Sequence, residues 1–259
     1  MTQRDVSGPS GRAHHAITFD SARDVTVLFG GAVEGGSSNA ETWEWDGATW
    51  TQREVSGPTP RWGAAMAFDV GRNVVVLFGG HGNGYEAGTW EWDGAAWSLR
   101  TVDGPPPRVG HAMTYDSARG VTILFGDEGE SSPYSDDTTW EWDGNAWTQL
   151  DIAGPSPRGG HAMAYDAARS RVVLFGGHMY YGDSEWSGET WAYPFAIGDM
   201  NCDCAFDDGD VAGFVQALVD PDGYDDAYPA CNADNGDFNG DGLLDADDVA
   251  GFVAGLIGS

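Results

Sequence analysis

From Arg12 to Tyr193 short apolar runs alternate with polar turns, and the pattern returns four times. In the clearest copy, Ala65-Met66-Ala67-Phe68-Asp69 is followed, after Val70-Gly71-Arg72, by the continuous run Val74-Val75-Val76-Leu77-Phe78. Thr89-Trp90-Glu91-Trp92 then ends at Asp93-Gly94, and Trp97 opens a last run. Runs this short, bounded by Gly, Pro and Asp-Gly, predict strands, and no helical stripe is sustained before position 200. Each copy opens on an arginine (Arg12, Arg61, Arg108, Arg158), spaced by 49, 47 and 50 residues. A strand repeat of that length cannot bury both faces of its sheet alone, so the copies must stack around an axis as propeller blades.

Most recurring residues have structural readings. Asp20-Ser21-Ala22-Arg23 and its equivalents at Asp69, Asp116 and Asp166 predict hairpins whose Asp accepts local backbone hydrogen bonds. Asp46-Gly47, Asp93-Gly94 and Asp143-Gly144 predict a second hairpin in three copies. Gly30-Gly31, Gly79-Gly80 and Gly176-Gly177 are not phosphate loops, since no Lys-Ser/Thr follows them, and Gly126-Asp127 predicts a different turn in the third copy. Trp43, Trp90, Trp140 and Trp191 recur at one strand position, which predicts packing between blades, with Glu44, Glu91 and Glu141 on the opposite face. His15, His111 and His161 are equivalent, but the second copy has Ala64 there, so they read as scaffold rather than a metal ring. His14, His81 and His178 show no pattern.

Trp62, Trp186, Tyr85, Tyr134, Tyr180 and Tyr181 break the register, in or near the variable connections 32–41, 81–88, 127–138 and 178–189. Loops on a rigid scaffold are where binding residues concentrate, so these connections are the candidate surface for a glycan or a protein. The ends of the repeat region are complementary. Residues 2–9 match 51–58, the end of a copy, while the fourth copy stops after Thr190-Trp191-Ala192-Tyr193 without its last strand. The expectation is an all-β propeller over residues 1–197 with four blades, closed by the N-terminal strand; a part of a larger propeller is the alternative.

Composition separates the remainder. The 259 residues include 12 arginines, no lysine and 41 acids, a formal charge of -29. Such a chain repels a phosphate backbone, which argues against nucleic acid and toward cations. Residues 198–259 hold fifteen Asp and no Glu, Arg or Lys, which marks a second domain. No run is long enough to span a bilayer and no apolar segment of signal-peptide kind opens the chain, yet three cysteines and the acidic loops suit an extracellular or cell-surface setting. Within 198–259, two twelve-residue loops lie 38 residues apart. The first offers side-chain oxygens from Asp199, Asn201, Asp203, Asp207 and Asp210 with the Ala205 carbonyl; the second from Asp237, Asn239, Asp241, Asp245 and Asp248 with the Leu243 carbonyl. Six to eight oxygens suit calcium, one ion per loop, better than magnesium, which resists dehydration. Gly242 at the sixth position makes the second loop the tighter site, since Cys204 must take that turn in the first. An amphipathic helix follows each loop, carrying Val211, Phe214, Val215 and Leu218, then Val249, Phe252, Val253 and Leu256, with Phe206 and Leu244 contributing a contact between loops. Cys202, Cys204 and Cys231 allow three disulfide pairings.

The double glycine after an apolar strand, with the aromatic pair further on, resembles the kelch repeat. The tandem loops, each followed by one helix and ending in Asp, resemble a type I dockerin, an all-α calcium-loop module related to the EF-hand. These resemblances imply an attachment protein whose tail docks onto a cohesin-like receptor or cell-surface scaffold. At loop positions 10 and 11, where dockerins carry small hydroxyl residues, this chain has Asp208-Gly209 and Ala246-Asp247. The copper-radical oxidases that share kelch-like propellers need a cysteine joined to tyrosine in the propeller, and no cysteine precedes Cys202. The leading expectation is a non-catalytic, calcium-binding interaction or attachment protein, with no catalytic residue assigned. The alternatives are an extracellular polysaccharide-active enzyme with the same attachment module, and an intracellular scaffold.

Overall fold

The computed structural model describes residues 6–127, 137–150, 152, 154–169, 171–179, 185–194, 198–201, 206, 208–228, 233–236, 238 and 243–258. The chain divides into two compact units, Met1–Tyr165 with Val173–Trp191, and Asp166–Val172 with Ala192–Ser259. The first is dominated by β-sheet and the second by helix.

The architecture is a four-bladed propeller. Blade 1 comprises β1 (Ala16–Asp20), β2 (Val25–Phe29), β3 (Thr42–Trp45) and β4 (Trp50–Arg53), paired in that order. Blade 2 comprises β5 (Ala65–Asp69), β6 (Val74–Phe78), β7 (Thr89–Trp92) and β8 (Trp97–Arg100). Blade 3 comprises β9 (Ala112–Asp116), β10 (Val121–Phe125), β11 (Thr139–Trp142) and β12 (Trp147–Leu150). Blade 4 contains β13 (Ala162–Asp166), β14 (Arg171–Phe175) and β15 (Thr190–Pro194). The strands of blades 1 to 3 pair antiparallel and share one register, so Leu28–Trp43, Leu77–Trp90 and Leu124–Trp140 are equivalent pairs. The closing strand expected at residues 2–9 falls partly outside the described residues; Val6–Pro9 are not strand. A Cβ at Gly8 would meet Trp50 Cδ1 at 2.5 Å, as one at Gly57 would meet Trp97 Cδ1. Gly8 thus holds the connector position that Gly57 holds between blades 1 and 2.

Both predicted hairpins form for the predicted reason. Asp20 Oδ1 accepts from the Ala22 and Arg23 amides, both at 3.0 Å, and Oδ2 pairs with the Arg23 guanidinium at 2.7 Å. Asp46, Asp93 and Asp143 each accept from the amides two and three residues on. In the third blade Asp127 Oδ1 accepts from the Val109 amide at 3.0 Å, so the turn after β10 differs from its equivalents as expected.

Of the tryptophans the recurrence singled out, Trp90 and Trp140 pack at the margins of the cores between blades, but they are not the rings that fill them. Trp43, Trp90 and Trp140 are half-buried, and the indoles of Trp43 and Trp140 bond within their own blade, to Glu41 at 2.9 Å and Thr138 at 2.8 Å. Trp92, Trp97, Trp142 and Trp147 fill the junctions instead. Trp97 Nε1 donates to Thr42 Oγ1 at 2.9 Å and Trp147 Nε1 to Thr89 Oγ1 at 2.8 Å, each reaching into the preceding blade. The acid face of one blade therefore meets the indole face of the next. Burial of these large rings, whose N–H groups also find a polar acceptor, is a large apolar gain at the first two junctions.

At the start of each blade a residue in the left-handed region links to its neighbour through the backbone: His14, Gly63, Gly110 and Gly160 have φ of 53°, 67°, 70° and 65°. The Gly63 amide donates to the His14 carbonyl at 2.8 Å, Gly110 to Gly63 at 3.0 Å, and Gly160 to Gly110 at 2.8 Å. Glycine carries that conformation without a steric penalty, and Gly63 has no room for a side chain, since a Cβ would meet Val109 Cγ2 at 2.3 Å.

The second unit contains α1 (Asp210–Val219), α2 (Pro221–Ala227), a 3₁₀ turn (Ala233–Gly236) and α3 (Val249–Gly258). The sequence pattern anticipated α1 and α3 but not the short α2, which Asp220 caps by accepting from the Gly223 amide at 3.2 Å. Its core is built on the 38-residue repeat: Phe214 and Phe252 stack at 3.9 Å with an interplanar angle of 12°, beside Met200, Ala217 and Tyr224. Phe206 packs against Phe238 and Phe252 and Leu244 lies at the margin of the same core. Val211, Val215, Val249 and Val253 do not face it. They are exposed, because the helical turn that points Phe214 and Phe252 inward carries residues four positions apart to the flank.

Candidate functional site

Two places gather chemistry: one end of the propeller, and the loops of the helical unit. On the propeller, the strand-like contact between Trp62 and His81 fixes the site, with the Trp62 amide donating to His81 O at 3.0 Å and the His81 amide to Trp62 O at 2.8 Å. Trp62 follows the buried Arg61, whose guanidinium donates to Gly79 O at 3.0 Å and locks the segment. The rings then form a continuous shelf: His14 to Trp62 at 5.6 Å, Trp62 to His81 at 5.5 Å, and His81 to Tyr85 at 4.9 Å. Blade 4 repeats part of this, with Gly159 bridged to His178 and the His178 ring 4.8 Å from the exposed Trp186. Tyr134, Tyr180 and Tyr181 lie outside the described residues. His81 and His178 had a signal in the sequence: each directly follows a double glycine. The partner of His81, Trp62, has no repeat counterpart, so the cluster needed the fold to appear.

Such a shelf presents flat apolar ring faces rimmed by imidazole and phenol groups that exchange hydrogen bonds. That is the chemistry of stacking on a planar or pyranose ring. Among the described residues no group of three His, Cys, Asp or Glu is arranged to hold a metal ion.

His111 and His161 are buried between blades, edge-on to Phe78 at 5.8 Å and Phe125 at 5.5 Å of the preceding blade. Their contacts reach back to a neighbour. Burial, and then the positive charge of Arg158, lower the His161 pKa to about 4; burial, Arg108 and His161 hold His111 well below the usual imidazole value. At neutral pH they are uncharged groups packed between blades.

In the helical unit, the twelfth residue of each loop is buried and closes its loop. Asp210 Oδ1 accepts from the Met200 amide at 2.7 Å and the Asn201 amide at 3.0 Å. Asp248 Oδ1 accepts from the Phe238 amide at 2.8 Å and Oδ2 from the Asp245 amide at 2.9 Å. Met200 and Phe238 are both second in their loops. Asp199 is also fully buried, and its carbonyl accepts from Asn235 Nδ2 at 2.8 Å. Leu243 and Asp245 are exposed, whereas Asp203, Ala205, Asp207, Asp237, Asn239 and Asp241 lie outside the described residues, as do all three cysteines and Gly242. Among the described residues no helix is long and apolar enough to cross a membrane.

No protein-family model matches the chain, and no curated protein matches it.

Proposed function

We propose that the chain is a non-catalytic attachment protein of the extracellular space or cell surface. Its kelch-like propeller presents the His14–Trp62–His81–Tyr85 shelf to a ligand, and its dockerin-like tail is a calcium-bound docking module. The observation that carries this reading is the burial of Asp199, Asp210 and Asp248, the first and twelfth residues of one loop and the twelfth of the other. Carboxylates drawn inward at the ends of loops rich in further oxygen donors form a set that fits a hard divalent ion. The ligands are Asp199, Asn201, Asp203, Asp207 and Asp210 with the Ala205 carbonyl, and Asp237, Asn239, Asp241, Asp245 and Asp248 with the Leu243 carbonyl. Calcium bound there supplies charge neutralisation and a fixed loop; the chain's own residues supply the stacked core beneath.

The exposed valines support docking. Val211, Val215 and Val219 on α1, and Val249, Val253 and Ile257 on α3, form two exposed stripes at four-residue spacing, related by the 38-residue repeat. Paired apolar stripes without basic residues suit a protein receptor of the cohesin kind rather than nucleic acid or an anionic surface.

Calorimetric titration of the full chain with calcium is expected to give two binding events. Asp237→Ala and Asp248→Ala should abolish the tighter one. Absence of binding at millimolar calcium overturns the proposal for the tail. For the shelf, retention of the chain on a glycan array should be lost in Trp62→Ala. Reducing-sugar release from the same glycans would replace the binding reading with the enzymatic one.

A further inference from the structure

In blades 1, 2 and 4 the double glycine after the second strand leads into a short connection whose register the backbone fixes. The Asn39, Glu86 and Ser187 amides donate to the Gly31, Gly80 and Gly177 carbonyls at 2.9, 3.0 and 2.9 Å. The residues before them, Ser38, Tyr85 and Trp186, are therefore equivalent, and they pair with Ala32, His81 and His178. Blade 1 holds two small residues at this pair. Blades 2 and 4 each hold an imidazole edge-on to an aromatic ring, at 4.9 Å and 86° in one and 4.8 Å and 62° in the other. Both histidines are anchored alike to the residue after the buried arginine of their blade: the His81 amide donates to Trp62 O and the His178 amide to Gly159 O, each at 2.8 Å. In a four-bladed propeller, blades 2 and 4 face each other across the axis. The fold thus sets two aromatic platforms at one end, the shelf around Trp62 and a second around Trp186, whose side chain is 80% exposed.

We infer that the two platforms are subsites for one extended, uncharged polysaccharide chain that crosses the propeller axis. The inference rests on the ligand-binding reading of the shelf and adds a second contact to it. The corners Gly63, Gly110 and Gly160 are joined by backbone hydrogen bonds. Chains so joined lie about 5 Å apart, so the platforms outside the corners of blades 2 and 4 stand on the order of 10 to 20 Å from each other. One sugar ring fills one platform, and only a chain reaches both. The charge at this end narrows the class. Arg12, Arg61 and Arg158 have buried guanidinium groups, whereas their partners Glu41, Glu86 and Glu189 are partly exposed. Each pair turns its carboxylate outward, which repels an acidic polysaccharide and admits an uncharged one. Two contacts on one chain make the second binding event intramolecular, which raises affinity by about 10² or more without either contact being tight.

Calorimetric titration of the full chain with cellohexaose, xylohexaose and mannohexaose, each against its own disaccharide, tests this, with hexagalacturonate as the acidic control. At least one hexasaccharide is expected to bind about 10²-fold tighter than its disaccharide, and hexagalacturonate not to bind. Trp186→Ala should bring that hexasaccharide down to the affinity of the disaccharide, while Trp186→Phe, which keeps a flat ring, should retain the length dependence. Equal affinity for both lengths, or a length dependence that survives Trp186→Ala, overturns the second subsite and leaves the shelf around Trp62 as a single site. Binding of hexagalacturonate as tight as that of the uncharged chains overturns the ligand class. Failure of every sugar to bind overturns the glycan reading of the shelf itself, and the two-platform inference with it.

Discussion

The indole of Trp92 donates to Glu44 Oε1 at 3.0 Å across the junction between blades 1 and 2, on a carboxylate that Arg23 and Arg53 already hold. Burial alone would favour the protonated acid, but the bonds from Arg23, Arg53 and Trp92 outweigh it and lower the Glu44 pKa. Trp92→Phe is expected to cost about 1 to 2 kcal/mol, for one hydrogen bond lost to a charged acceptor that keeps its arginines. Urea denaturation, in a double-mutant cycle with Glu44→Gln, should give a coupling energy of similar size. Additive effects would mean that the bond does not tie the blades.

Glu141 holds the same strand position in blade 3, and its pKa moves the other way. Burial raises it beyond what Arg119 can offset. The cause lies in the outer strand: Leu150 pairs opposite Thr139 where Arg53 and Arg100 pair opposite Thr42 and Thr89. Glu44 contributes stability that is present above the ordinary carboxylate value and lost as the pH falls through its lowered one. Glu141 favours the folded state only while protonated, and that contribution fades as the pH rises through its raised value. At pH 7, Glu44→Gln should therefore destabilise, while Glu141→Gln is neutral or stabilising. Leu150→Arg should add about 0.5 to 1 kcal/mol by supplying the missing partner. Thermal melts of the three variants decide it.

His161 makes the propeller acid-sensitive. With a folded pKa of about 4 against an ordinary 6.5, the unfolded chain binds the proton more readily between those values, so stability falls as the pH drops through that window. The loss approaches about 3 kcal/mol at the acid end for a group this buried. The second blade carries Ala64 at the equivalent position, so His161→Ala should fold and show a shallower fall in Tm between pH 7 and 4.5. An identical slope would place the sensitivity elsewhere.

In the helical unit, Gly213 and Gly251 sit inside helices, where alanine normally stabilises. A Cβ at Gly213 would lie 2.6 Å from the Met200 carbonyl oxygen, and one at Gly251 would lie 2.5 Å from Phe238 Cβ. These contacts outweigh the roughly 1 kcal/mol of helix propensity. Gly251→Ala should lower the helical signal of the tail at fixed calcium; an increase would show that the loop yields.

The repeat, the hairpins and the double loop were legible because each rests on local chemistry: an Asp with its following amides, an apolar strand with its turn. Which tryptophans cross between blades was not legible. Trp90 and Trp92 lie on one face of β7 and both recur, and only the depth of the neighbouring blade separates the buried ring from the half-buried one. The shelf was half-legible: Trp62 and Tyr85 stood out by breaking register, but His14 joined them through backbone geometry that no residue pattern announces. In the tail, helical spacing identified α1 and α3 but not which flank faces inward, since Phe214 and Val215 satisfy the same periodicity.

His14 is the only side chain among the four left-handed corners where the blades begin, and it leans on Trp62 of the next blade. Three equivalent corners are bare glycine. A scaffold of near-fourfold repeats thereby acquires a single orientation at that end.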